Sequence, residues 1–479
     1  MLIFTKTIYM KILFPIIFTS AILGSVCFSF KLAGEKKVLP TDNDSTVFSK
    51  IYSEGYNSWA AYIALEGLCK KAPKRLAGSA GAQVAVEYME QVMRDCQFDK
   101  VWLQPVMVPH WERGPHEIGY VIDINGGKKH EVNVAALGGS IGTGENGLTA
   151  EVIEVSNFDE LEKLGKKSIE GKIVFFNHRW DDKKIATFSA YGETVAYRWQ
   201  GPTSAKKYGA VGCIIRSCTS SIDTFPHTGV TRTDSIGATI PSVAIATKDA
   251  NFLSQLLKNS EKGITFYLSM QCKWFADVKS YNVIGEIRGS EHPNEIIVVG
   301  GHLDAWELGE GAHDDGTGVT GSVEAIRIFK ALGIRPKHTI RCVCFMNEEN
   351  GGRGGKTYAD SASLKKEKHI AAIESDAGGF TPRGFGLDMK PDQKIKVQSW
   401  EKLFLPYGVH DFTHGGGGAD IGPLKAFGTP LLGLEPDGSR YFDYHHTEDD
   451  VFKNVNRREL QAGAASMAAM IYLIDKYGL

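Results

Sequence analysis

Five short stretches of this sequence combine imidazoles and carboxylates in ways that could hold metal ions. His302 and Asp304 stand two apart, so an imidazole donating its second ring N–H to that carboxylate would be fixed in one tautomer and made more basic. Asp314 and Asp315 lie in Gly311-Ala312-His313-Asp314-Asp315-Gly316-Thr317-Gly318. Glycines on both sides keep bulk away and leave a carboxylate free to offer both oxygens to two cations. Glu348 and Glu349 are adjacent at the end of an apolar run. Such a pair repels and loses hydration unless cations answer it. One member can then be a ligand and the other, with a raised pKa, a general base toward an attacking water. Asp376 follows a third apolar run, and Tyr444-His445-His446-Thr447 follows a fourth. His302, Asp314, Glu349, Asp376 and His446 thus offer two imidazoles and three carboxylates from five segments. Nitrogen and oxygen donors without sulfur, one carboxylate being shared, suit two zinc ions in open coordination. Paired ions of this kind polarise a carbonyl for attack by water.

Positioning these groups requires a repeated unit of apolar strand, acidic or glycine-rich turn, and helix. Ile296 to Val299 leads into Gly300-Gly301-His302, Thr339 to Phe345 into Met346-Asn347-Glu348-Glu349, and His369 to Ile373 into Glu374-Ser375-Asp376. A helix opens at the Gly311–Gly318 turn and runs to about Leu332, with Val319, Val323, Ile326 and Phe329 apolar. Continuous apolar strands separated by helices predict an α/β fold whose mixed, mostly parallel sheet is covered by helices on both faces. Ligands gather beyond the carboxyl ends of such strands, where these acids and histidines fall. Glycine follows the same geography: 25 of the 53 lie between Gly300 and Gly438. That concentration reads as backbone accommodation around a site rather than as flexibility.

Elsewhere the pattern is quieter. Ala80 to Cys96 reads as a helix, and between about 148 and 272 short strands (Ile173 to Asn177, Val211 to Ile215, Ser242 to Ala246) alternate with helical stretches without ending in acid–histidine clusters. At the N-terminus, Lys6 and Lys11 precede the apolar run Ile12 to Phe28, a pattern that reads as a signal peptide over 1–29. No other stretch is long and apolar enough to span a membrane, so no stable membrane span is expected after signal removal. The sequon Asn43-Asp44-Ser45 fits a secreted or lysosomal glycoprotein. Of eight cysteines, Cys27 falls in the signal; seven remain, with no Cys-x-x-Cys pair, which excludes a disulfide scaffold and a thiolate zinc site of the usual spacing. A formal net charge of -2 argues against a nucleic-acid partner.

The order His-x-Asp, Asp-x-x-Thr-Gly, Glu-Glu, Asp, His resembles peptidase family M28, the co-catalytic di-zinc exopeptidases. Arg75-Leu76-Ala77-Gly78-Ser79, Gly300 to Asp304, Gly311 to Gly318, Asn347-Glu348-Glu349-Asn350-Gly351, Glu374 to Gly378 and Tyr444 to Thr447 carry the likeness over nearly the whole chain after the signal. The resemblance implies one zinc held by His302 and Asp376 and the other by Glu349 and His446. It makes Asp314 the bridge, Glu348 the base and Asp304 the aspartate that orients His302, and leaves Asp315 and His445 as the poorer candidates. It also implies a zinc exopeptidase acting on dipeptides or short peptides as a carboxypeptidase or dipeptidase. An aminopeptidase on longer peptides and an inactive receptor-like binding protein are the alternatives. A possible propeptide over 30–45, a homodimer, and a protease-associated domain at 141–275 inserted between peptidase segments 46–140 and 276–479 come from the same likeness. His313 departs from the pattern and is expected to point away from the metals. The loop Thr413 to Asp420 is expected to line the substrate pocket.

Overall fold

The computed structural model describes residues 42–123, 127–233, 239–260 and 263–479. The expected signal peptide lies outside the described residues, as does the expected propeptide up to residue 41. Its remaining residues, 42–45, open the helix Asp42–Asn57, where the Asp44 carboxylate accepts from Tyr472, Lys476 and Tyr477 of the final helix. Among the described residues no helix is long and apolar enough to cross a membrane, and all seven described cysteines are free thiols.

Two sheets organise the chain. The first has seven strands in the order Lys100–Glu112, Lys273–Ile287, His338–Phe345, His292–His302, Lys368–Glu374, Leu431–Pro436, Pro382–Asp388. Five run in one direction: four are consecutive parallel neighbours, and Lys100–Glu112 shares their sense through its antiparallel partner. The sheet is therefore mixed and mostly parallel, as the apolar runs predict. Register sets the site. His302 pairs with Phe345 and Gly300 with Glu374, so the turns after these strands leave the sheet at one edge.

Alternation along the central strand explains the two covering layers. Ile297 and Val299 pack toward the helices Thr317–Ala331 and Arg457–Tyr477, whereas Ile296 and Val298 pack toward Tyr358, Ala359 and Leu424 on the other face. Each such side chain contributes about 1.5–3 kcal/mol by leaving water. Ala464, Ala465, Ala468 and Ala469 keep the final helix slim enough to lie against its neighbours. Asn456 caps it by accepting the N–H groups of Arg458 and Glu459, a contact worth about 1 kcal/mol.

The second sheet has eight strands in the order Lys129–Val132, Ile118–Asp123, Ile264–Ser269, Leu148–Val155, Ile173–Phe176, Gly212–Arg216, Ser242–Ile245, Val134–Ala136. It leaves and returns at one point, because Glu112 and Lys273 are paired at the end of a long antiparallel ribbon. The unit thus occupies 113–272. The strands at 118–136, which the sequence reading assigned to the first peptidase segment, belong to this sheet. Their partners at 264–269 and 243–245 are too distant along the chain for a local pattern to reveal. Helices Phe158–Ile169 and Thr187–Lys207 cover one face and Thr247–Asn259 the other. Trp306, from the turn after His302, packs into this second core. Gly138 makes room for it, since a Cβ there would lie 1.8 Å from the indole.

Candidate metal centre

The five expected ligands converge at the carboxyl edge of the first sheet. Asp314 lies between two imidazoles: His302 Nε2 is 3.1 Å from its Oδ1, and His446 Nε2 is 3.2 Å from its Oδ2. Each imidazole also faces one further carboxylate, Asp376 Oδ1 at 3.4 Å from His302 Nε2 and Glu349 Oε2 at 3.2 Å from His446 Nε2. These four separations suit donor atoms at neighbouring corners of a zinc tetrahedron, whose bonds of about 2.0–2.1 Å place them about 3.3 Å apart. Asp314 Oδ2 is buried and has no well-directed hydrogen bond among the described residues. A carboxylate oxygen in that condition is costly unless a cation meets it. The donor set therefore fits two divalent ions sharing Asp314.

The position of Asp314 is built by its neighbours. Asp450 accepts the N–H groups of His313 (2.7 Å) and Asp314 (3.1 Å), and the Asp314–Asp315 peptide is cis. Asp315 lies close to His302 and Asp376 as well, but its carboxylate is engaged by main-chain donors. Its carboxylate accepts from the backbone of His302 (3.1 Å) and Gly318 (3.0 Å), pinning the strand end to the helix start. That approach demands glycine. A Cβ on Gly301 would lie 2.2 Å from Asp315 Oδ2, and one on Gly318 would lie 1.9 Å from the Ser375 carbonyl oxygen. Behind the turn, the buried Arg75 guanidinium donates to the carbonyls of Leu303, Glu310 and Gly311, holding the loop from 303 to 311 against the body.

Asp304 departs from expectation. The His302 Nδ1–H donates to the main-chain carbonyl of Asp304 at 2.9 Å, while the nearest carboxylate oxygen of that residue is 4.0 Å away. The carboxylate is engaged elsewhere: Oδ1 accepts the N–H groups of Asn347 (2.6 Å) and Glu348 (3.0 Å). Asp304 thus fixes His302 through its backbone and the Glu348-Glu349 turn through its side chain. Two residues apart on a turn, the carbonyl reaches the ring first, which sequence spacing alone does not disclose.

Burial and mutual repulsion set the charges. Desolvation, reinforced by Asp376, Glu349 and Asp304, holds the Glu348 carboxyl well above the usual range, although His302 opposes the shift. Burial raises Glu349 to about 7, helped by Asp314 and opposed by His446. For His302 burial alone would lower the pKa, but Asp376 and Asp314 outweigh it and raise it well above 6.5. His446 is raised to about 9 against its burial by Glu349 and Asp314.

His313 points away, as expected. It stacks on Phe380 (centroids 4.3 Å apart) and on Tyr444 (5.3 Å), accepts from Gly379 N–H at Nδ1 and donates to the Asn454 carbonyl from Nε2. His445 stacks on His446 at 3.5 Å and brings Nε2 to 3.8 Å from Asp314 Oδ2, at the margin of the cluster. The glycine-rich loop seats its far end on the sheet, where Ala419 and Ile421 donate to the Glu374 carboxylate at 2.8 Å each. Asp420 on that loop is buried with both carboxylate oxygens unpartnered among the described residues. The sequence reading placed Asp420 only as the end of the loop expected to line the substrate pocket, quoted Arg75 only within the Arg75-Leu76-Ala77-Gly78-Ser79 motif, and assigned no role to Asp450.

The chain is similar to known proteins in sequence and in fold. Residues 282–471 match the description Peptidase family M28. Carboxypeptidase Q of Bos taurus is 33% identical over 429 residues, covering 90% of this chain and 87% of that protein. The chain belongs to peptidase family M28. Carboxypeptidase Q of Xenopus laevis is 35% identical, covering 88% of this metallopeptidase and 85% of its own length. The crystal structure of a peptidase M28 precursor from Shewanella amazonensis SB2B superposes with a TM-score of 0.84 at 33% identity, covering 91% of this peptidase and 97% of that chain. A zinc aminopeptidase from Bacillus subtilis shares the fold, with a TM-score of 0.62 at 21% identity, covering 86% and 94% of the two chains.

Proposed function

We propose that this M28 peptidase is a di-zinc exopeptidase that hydrolyses the peptide bond of dipeptides or short peptides, in the manner of a carboxypeptidase or dipeptidase. One observation carries the reading: each oxygen of Asp314 faces its own imidazole–carboxylate pair. His302 and Asp376 would hold one zinc, Glu349 and His446 the other, and Asp314 both. When bound, such a pair of ions polarises the scissile carbonyl and makes water more acidic.

The chain's own residues supply the rest. Glu348, partly exposed and with a carboxyl whose pKa is held high, is placed to accept a proton from the attacking water and pass it to the leaving amine. Asp304 keeps its backbone in place. The second sheet, read as a protease-associated cover, walls the His446 side of the site and so favours short substrates. Secretory targeting, to the outside or to lysosomes, completes the reading on the strength of the N-terminal signal pattern, and a homodimer on the strength of the family resemblance.

Two measurements test it. Glu348→Gln is expected to keep two zinc ions per chain while turnover falls by orders of magnitude; near-normal activity would remove Glu348 from the role of base. Cleavage of free, N-acetylated and C-amidated short peptides identifies the terminus recognised. Loss of cleavage on C-amidation is the expected result, and loss on N-acetylation would favour an aminopeptidase.

A further inference from the structure

The two imidazoles at the centre are supported from different parts of the molecule. His302 Nδ1 donates to Asp304, within its own sheet's turn. His446 Nδ1 donates instead to the Thr228 carbonyl at 3.0 Å, on the inserted unit. The contact is reciprocal, because Thr228 N–H donates to the His446 carbonyl at 3.1 Å, and His227 Nδ1–H donates to the His445 carbonyl at 2.8 Å. Three hydrogen bonds therefore tie 227–228 to 445–446 across the seam.

The inserted side of this tie is itself braced. Arg198, from the helix Thr187–Lys207, places Nη1 3.3 Å from the Thr228 carbonyl and 3.5 Å from His446 Nδ1, and Nη2 2.7 Å from the Tyr191 hydroxyl; the shorter contact of His446 Nδ1 is the one to the Thr228 carbonyl, at 3.0 Å. Its Nε is buried without a partner among the described residues, so the guanidinium is held here for its outer nitrogens. Gly229 leaves it space, since a Cβ there would lie 2.4 Å from Arg198 Cζ. Thr228 Oγ1 donates to the Ala136 carbonyl at 2.6 Å and accepts from Arg113 at 3.2 Å, and His227 N–H donates to Ser217 Oγ at 2.9 Å. On the other side, His446 has φ +64°. A left-handed backbone at a non-glycine residue persists only where its surroundings over-determine it.

We propose that the inserted unit is a structural part of the metal centre: Arg198 and His227 are positioning residues that set the Thr228 carbonyl, and through it the tautomer and aim of the ligand His446. With Nδ1 carrying the proton toward Thr228, Nε2 is left as the free donor facing Asp314 and Glu349. Retention of one metal of the pair then depends on the inserted unit, and retention of the other does not. This rests on the di-zinc reading.

Zinc release from the purified full chain under graded chelator, followed with the melting temperature, tests the idea. The variants are Arg198→Met, Arg198→Lys, His227→Leu and His227→Asn, the last retaining an amide donor near the Nδ1 position. Wild type is expected to hold two zinc ions per chain. Arg198→Met and His227→Leu are expected to release one ion at a chelator concentration at least about tenfold lower, the usual scale for losing a ligand's outer partner, with the second ion's release unmoved. Arg198→Lys and His227→Asn are expected to restore part of the difference. Wild type holding fewer than two ions would overturn the di-zinc reading itself. Two ions in wild type with unchanged release in Arg198→Met and His227→Leu would overturn the positioning role alone. So would loss of both ions together in step with melting, or no recovery in the conservative variants.

Discussion

Both sheets end four parallel strands at a polar edge, yet the two edges are opposite in chemistry. At the second sheet's edge the charged groups Glu154 and Arg216 find complements. Glu154 accepts from Asn177 (2.6 Å) and Ser254 (2.9 Å), and Arg216 donates to Asn177 (3.3 Å) and Asn251 (2.9 Å). At the first sheet's edge acids gather without enough donors, and buried oxygens of Asp304, Asp314 and Asp420 stay unpartnered among the described residues. A satisfied polar edge stabilises and does little else. An edge with surplus negative charge is costly until cations fill it. The same architecture therefore yields a scaffold in one place and a reactive centre in the other, and the difference lies in whether the polar groups are balanced.

Substitutions on the two edges should separate these roles. The largest effect is expected from Glu348→Gln, with kcat lower by about 10²–10⁴-fold and zinc content and melting temperature near wild type, read by steady-state kinetics and elemental analysis. Chelation of the wild-type protein comes next: activity should vanish and the melting temperature fall, both returning on adding zinc. The loss of stability should approach about 4 kcal/mol for zinc present at a thousand times its dissociation constant. Arg75→Met removes a buried donor to three carbonyls and is expected to cost about 3 kcal/mol or more in denaturant unfolding. Its zinc affinity should fall too, because the loop from 303 to 311 feeds the centre. The smallest effect belongs to the balanced edge. Asn177→Ala is expected to cost about 1–3 kcal/mol of stability while kcat and zinc content stay unchanged. A catalytic effect there comparable to that of Glu348→Gln would erase the distinction between the edges.

Much of the centre was legible before any fold was known. The apolar runs Ile296 to Val299, Thr339 to Phe345 and His369 to Ile373 are continuous, so strand, edge and direction followed from pattern, and the five candidate donors followed from what survives burial only beside cations. Three things were not legible. The Asp304 carbonyl, rather than its carboxylate, holds His302, a choice made by turn geometry. Asp450 acts through the backbone of a distant loop and carries no spacing signal, and the motif around Arg75 does not disclose which carbonyls the guanidinium holds. His227, Thr228 and Arg198 stand in a stretch whose strands end without acids, so nothing local linked them to His446, more than two hundred residues away.

By itself the sequence determined which residues could bear charge at a buried edge, because apolar periodicity and the types of metal donor are local properties. It also determined where glycine was indispensable in kind, though not against what. The tertiary structure alone decided which nitrogen of each imidazole faces inward, how far the inserted unit extends, and that this unit grips His446 of the candidate metal centre. Those outcomes depend on hydrogen bonds between segments far apart in the chain, whose directions exist only once both sheets have packed.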